Sequence, residues 1–125
     1  MFKIRYKSHH DVGNVISKFT KNFKASKEDF ISLLEGVNVN KELALYFHTP
    51  YCDKICSFCN MNRKQLDNDL EEYTKYICDE IKKYGAYKFC KTSEVDVVFF
   101  GGGTPTIFKK EQLERILKTL RENFI

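Results

Sequence analysis

At 125 residues the chain has room for one domain and one modest core, and its formal net charge of +4 is mild. Acids and bases are interspersed, and no run of lysines and arginines interleaves with aromatics as a nucleic-acid groove requires, so nucleic-acid binding is not expected. No stretch approaches the roughly 20 apolar residues of a membrane span, and residues 1–10 lack the apolar core of a secretory signal, which predicts a cytoplasmic protein whose five cysteines stay reduced.

The first forty residues are lysine-rich and helical in pattern, and residues 1–42 are read as a helical N-terminal extension. Ser26 with Asp29 three residues on has the form of an N-cap followed by an acid in the first turn; Phe30, Leu33 and Leu34 give an apolar stripe, and Gly36 ends it. His9 and His10 beside Asp11 lack the spacing of a metal site and read as solvated surface. Residues 43–48 (LALYFH) then form a buried strand stopped by Pro50, followed by a loop with three cysteines. Residues 67–84 form an amphipathic helix, with Leu70, Tyr73, Ile77, Ile81 and Tyr84 on one face and Gly85 as its stop. Residues 95–100 (VDVVFF) are a second buried strand running into Gly101, Gly102, Gly103, Thr104 and Pro105, and a further helix from about Lys110 shows Leu113, Ile116, Leu117 and Leu120 on one face.

Apolar strands alternating with helices predict an α/β fold with a parallel sheet. Two parallel strands cannot cover both faces of a sheet, so residues 43–125 read as the first two βα units of a larger domain, truncated after the second. On that ground the isolated chain is expected to be poorly stable and inactive.

Cys52, Cys56 and Cys59 lie within eight residues of one loop, so their thiols can converge on one centre, and being odd in number they cannot all pair as disulfides. A 4Fe–4S cluster held by three thiolates leaves one iron without a protein ligand, open to a cofactor or substrate. Structural zinc is the alternative that spacing leaves open; its fourth ligand would be His48, Cys78 or Cys90, and the two cysteines read better as small apolar core residues. A redox or metal-free thiol role also remains on spacing alone.

The strand end Tyr46-Phe47-His48-Thr49-Pro50-Tyr51, the cysteine spacing of three and two with Phe58 before the last thiol, and the run Gly101-Gly102-Gly103-Thr104-Pro105-Thr106 together resemble the radical S-adenosylmethionine superfamily. Within it they resemble the branch of oxygen-independent coproporphyrinogen III oxidase. The resemblance covers residues 43–125 and implies the N-terminal part of a partial (β/α)6 barrel. It implies that Cys52, Cys56 and Cys59 hold a 4Fe–4S cluster whose open iron binds S-adenosylmethionine. Reductive cleavage would then give a 5′-deoxyadenosyl radical that abstracts hydrogen from a tetrapyrrole substrate. By the same resemblance Tyr46 lies near the cofactor sulfur, Phe58 near its adenine, and Gly101, Gly102, Gly103 and Thr104 at its methionyl end. A reducing partner such as flavodoxin or ferredoxin is implied too.

Both motifs fall at the carboxyl ends of predicted parallel strands, where α/β folds place their sites. Oxidases of the branch carry a further cysteine two residues past the last ligand; here that position is Met61, which leans towards the heme-utilising radical methyltransferases. Heme chaperones of the same architecture begin their cysteine loop nearer the N-terminus. An iron–sulfur electron-transfer module is the remaining alternative, and it would need a fourth ligand.

Overall fold

The structure, a computed structural model, describes residues 25–68 and 70–124; His9, His10 and Asp11 lie outside them. Helix α1 spans Lys27–Glu35 and begins as expected. The Ser26 hydroxyl accepts from Asp29 N–H at 3.1 Å, and the Asp29 carboxylate accepts from Ser26 N–H at 2.8 Å, a reciprocal box that satisfies two otherwise unpaired donors. Of the expected stripe only Leu34 is buried; Phe30 and Leu33 are about half exposed.

Strand β1 (Glu42–Thr49) ends at Pro50, which has no N–H to continue the ladder. Two-residue strands β2 (Tyr51–Cys52) and β3 (Lys64–Gln65) follow on either side of the cysteine loop. Helix α2 (Glu71–Gly85) starts later than the apolar period suggests; Asp67, ahead of it, pairs with Lys64 of β3 at 3.0 Å. The Leu70 carbonyl then receives both the N–H and the hydroxyl of Thr74 at 2.8 Å. One turn, α3 (Lys88–Lys91), leads to β4 (Glu94–Gly102), a 3-10 turn (Pro105–Ile107) and helix α4 (Lys110–Asn123).

β1 and β4 pair in parallel from Glu42 opposite Glu94 to Thr49 opposite Gly102. The register slips once: Leu43 faces Val95 but Ala44 faces Val97, so Asp96 is an extra residue. Leu43, Leu45, Phe47, Val95, Val98 and Phe100 pack against a core of Ile77, Cys78, Ile81, Cys90, Ile116 and Leu120 from the helices. Each large aliphatic buried there contributes about 1.5–3 kcal/mol. The opposite face stays open: Tyr46, Val97 and Phe99 are 55%, 53% and 59% exposed. The strands are therefore buried on one side only, where the continuous apolar runs predict two.

Gly85 ends α2, but not through a left-handed backbone. A Cβ there would fall 2.6 Å from the Asn123 carbonyl, so glycine is what lets α2 and α4 approach. At the amino ends of the strands, the buried Asn38 amide donates to the Glu42 carbonyl at 3.0 Å and to Ser93 Oγ at 2.8 Å, tying the approach to β1 to the approach to β4.

Candidate cluster and cofactor site

At the carboxyl edge of the sheet, His48 lies opposite Gly101 and Thr49 opposite Gly102. Beyond the strands, Gly103 N–H donates to the Thr49 carbonyl at 2.6 Å and Thr104 N–H to the Tyr51 carbonyl at 2.9 Å. The base of the cysteine loop is closed by two further bonds, Lys64 N–H to Pro50 O at 2.5 Å and Leu66 N–H to Cys52 O at 2.9 Å. The two sequence motifs thus meet along one hydrogen-bonded seam.

Close approach explains the glycines. A Cβ on Gly103 would lie 2.7 Å from Cys52 Sγ and 2.6 Å from the Tyr51 carbonyl. One on Gly102, whose φ is +108°, would lie 2.7 Å from His48 Cε1; one on Gly101 would lie 2.8 Å from the Tyr46 ring. Each glycine abuts a residue of the first motif, which leaves no room for a side chain.

His48 joins three segments. Its Nε2 lies 2.9 Å from the Asn62 carbonyl and its Nδ1 3.1 Å from the Tyr46 hydroxyl. A carbonyl oxygen only accepts, so Nε2 donates to it, and in the neutral ring Nδ1 accepts from Tyr46. Tyr46 also stacks on Phe99, with ring centroids 5.8 Å apart. From the helix side, the Tyr73 hydroxyl donates to the His48 carbonyl. Burial, followed by the negative charge available at Tyr51, Glu80 and Tyr46, pushes the Tyr73 phenol up, so it remains a donor at neutral pH.

All three loop cysteines are free thiols: Cys52 is buried, Cys59 half-buried and Cys56 exposed. Among the described residues no three His, Cys, Asp or Glu side chains converge closely enough to hold a metal ion. The loop rises from a fixed base at Cys52 to an open crown in which Cys59 N–H closes a turn on the Cys56 carbonyl at 3.2 Å. Phe58 at the crown is 89% exposed. The donor set suits an iron–sulfur cluster: three soft thiols on one short loop, beside a glycine cradle that touches the first of them. Cys78 and Cys90, the other thiols weighed as zinc ligands, lie in the helix-facing core, where burial pushes the Cys90 thiol up.

Of the residues expected at the site, Tyr46, Cys52, Gly101, Gly102, Gly103 and Thr104 lie along the seam, whereas Cys56, Cys59 and Phe58 lie on the crown. His48, weighed in the sequence only as a fourth zinc ligand, lies at the seam bonded to Tyr46 and to Asn62, a residue that the sequence reading passes over. The signal for His48 is its spacing of two from Tyr46, which puts both side chains on one face of a strand. No such signal exists for Asn62, which contributes its backbone.

No family model matches the chain. Over 109 residues the chain is 32% identical to the oxygen-independent coproporphyrinogen III oxidase of Mannheimia haemolytica, covering 86% of this chain and 71% of that one. Over 86 residues it is 37% identical to the oxidase of the same name from Escherichia coli, covering 67% of this chain but 18% of the relative's length. The solved radical S-adenosylmethionine enzyme coproporphyrinogen III oxidase from Escherichia coli superimposes with a TM-score of 0.71 at 30% identity, over 80% of this chain and 23% of that one. Among the described residues no helix is long and apolar enough to cross a membrane.

Proposed function

We propose, on the premise that this chain belongs to the radical S-adenosylmethionine family of oxygen-independent coproporphyrinogen III oxidase and its relatives, that it forms the cluster-bearing part of a radical enzyme acting on a tetrapyrrole. The observation that carries this reading is the contact between its two motifs. Gly103 abuts Cys52 Sγ so closely that a Cβ would lie 2.7 Å from it. The backbone proposed to receive the cofactor therefore borders the first proposed cluster ligand.

In this reading Cys52, Cys56 and Cys59 would hold the 4Fe–4S cluster. Bound there, the cluster would supply one-electron reductive cleavage of S-adenosylmethionine, with a donor such as a flavodoxin or ferredoxin providing the electron. The chain's own residues position and shield. Gly101, Gly102 and Gly103 let backbone approach the methionyl group, and Thr104 fixes the end of the run through its bond to the Tyr51 carbonyl. Tyr46, oriented by Phe99 and His48, presents its hydroxyl on the open face of the sheet. Phe58, exposed at the crown, would lie near the adenine.

Met61, in place of the additional cysteine of the oxidases, favours a heme-utilising radical methyltransferase as the second reading. Anaerobic reconstitution with iron and sulfide, reduction with dithionite and EPR with and without S-adenosylmethionine tests the proposal. A reduced-cluster signal that changes shape with the cofactor is expected. An unchanged signal would mean an electron-transfer centre, and retained zinc in place of iron would overturn the reading.

A further inference from the structure

Arg63 follows directly on Asn62, whose carbonyl is held by His48. It thus leaves the cysteine loop beside a point where that loop is tied to the strand bearing Tyr46. Its guanidinium makes one hydrogen bond among the described residues, Nη1 to the Met61 carbonyl at 3.1 Å. That bond curls the side chain back onto the loop. Nε is buried with no hydrogen-bond partner. Other cations differ: Lys64 is paired with Asp67 at 3.0 Å, and Arg115 forms a two-pronged bond with Glu71. No carboxylate among the described residues serves Arg63.

A buried, unsatisfied N–H on a permanently charged group is costly, because it has lost water without gaining a partner. In a guanidinium the Nε and one Nη form the fork that accepts a carboxylate through two parallel bonds. We propose that Arg63 is a carboxylate anchor at the rim of the cluster loop, receiving an acid group of the bound ligand. The proposal rests on the reading above for its ligands. Two of these bring such a group: S-adenosylmethionine through its methionyl carboxylate, and a coproporphyrin-type tetrapyrrole through its propionates. The acid completes the fork that the protein leaves open. Nε is buried in this structure, so the side chain has to swing clear of the loop before an acid reaches the fork.

The test compares the full-length reconstituted protein with its Arg63→Gln and Arg63→Lys variants in two titrations. One follows the EPR signal of the reduced cluster against S-adenosylmethionine. The other follows the absorbance of coproporphyrin III, with its tetramethyl ester as control. Arg63→Gln is expected to weaken one of the two acids by roughly 10- to 100-fold. Arg63→Lys should recover part of the loss, since it keeps the charge but not the fork. Neither variant should change binding of the ester. A shift confined to the cofactor assigns its carboxylate, and a shift confined to the porphyrin assigns a propionate. Unchanged affinity for both, in variants whose far-ultraviolet spectra match the parent, overturns the proposal. A parent cluster indifferent to S-adenosylmethionine would sink the functional reading, while the porphyrin arm would still decide the role of Arg63.

Discussion

Gly103→Ala is the sharpest test of the seam between the two motifs. The added Cβ would sit 2.6 Å from the Tyr51 carbonyl, 2.7 Å from Cys52 Sγ and 3.0 Å from the Thr49 carbonyl. Two of these neighbours are backbone atoms and the third is a proposed cluster ligand, so none can swing away as the tip of a flexible side chain would. Overpacking of this kind costs about 1–3 kcal/mol, or roughly a 5- to 150-fold fall in the folding equilibrium. Gly85→Ala is the matched control, because its Cβ would also meet a backbone oxygen at 2.6 Å, that of Asn123, at the far junction of α2 and α4. Both substitutions should lower the urea midpoint of the full-length protein by comparable amounts. Only Gly103→Ala should also lower the iron bound per chain after anaerobic reconstitution, because relief of the clash moves Cys52. A Gly103→Ala protein with parental stability and iron content would refute the close contact and the argument built on it.

Thr49 is fully buried and its hydroxyl has no hydrogen-bond partner among the described residues, so Thr49→Val should raise stability by about 1–2 kcal/mol; an unchanged or lower urea midpoint would count against it. Asn38→Ala removes the amide that joins the approaches to β1 and β4, and should cost about 1–3 kcal/mol by the same measurement. Timed alkylation read by mass spectrometry should label Cys56 first and Cys59 next, while Cys52, Cys78 and Cys90 react only as the protein opens. Burial raises the Cys90 thiol above its ordinary 9.0. Its contribution to stability is therefore intact below that pH and is lost as pH climbs through the raised value. A Cys90→Ala variant should show less of this alkaline decline in its denaturation midpoint.

The alternation of strand and helix was legible because each apolar run has a chemical stop: Pro50 after the first, three glycines after the second. The one-sided burial of the sheet was not, since an unbroken run such as VDVVFF is what a strand covered on both faces also looks like. β2 and β3 escaped notice because two residues carry no period. Helix periodicity places the start of α2 too early, because apolar spacing does not mark a first turn. At the site, cysteine spacing and the glycine run marked the right segments. Residue type alone could not show that Cys52 belongs to the rigid base and Cys56 to the open crown. The His48 link to Asn62 spans 14 positions and ends on a backbone atom, so no pattern in the residues announces it.

The extra residue at Asp96 also acts as a phase setter. Side chains alternate across a strand, so a single inserted position exchanges the two faces of everything that follows. Val95 looks towards the helices; counted by twos from there, Val97, Phe99 and Gly101 would follow it inward. Because Ala44 instead meets Val97, it is Val98 and Phe100 that turn to the core, while Phe99 comes round beneath Tyr46. The chemistry at Gly101 thus depends on a count made five residues upstream. Replacing Asp96 leaves that count intact, whereas deleting it trades the lining of the site for the stuffing of the core.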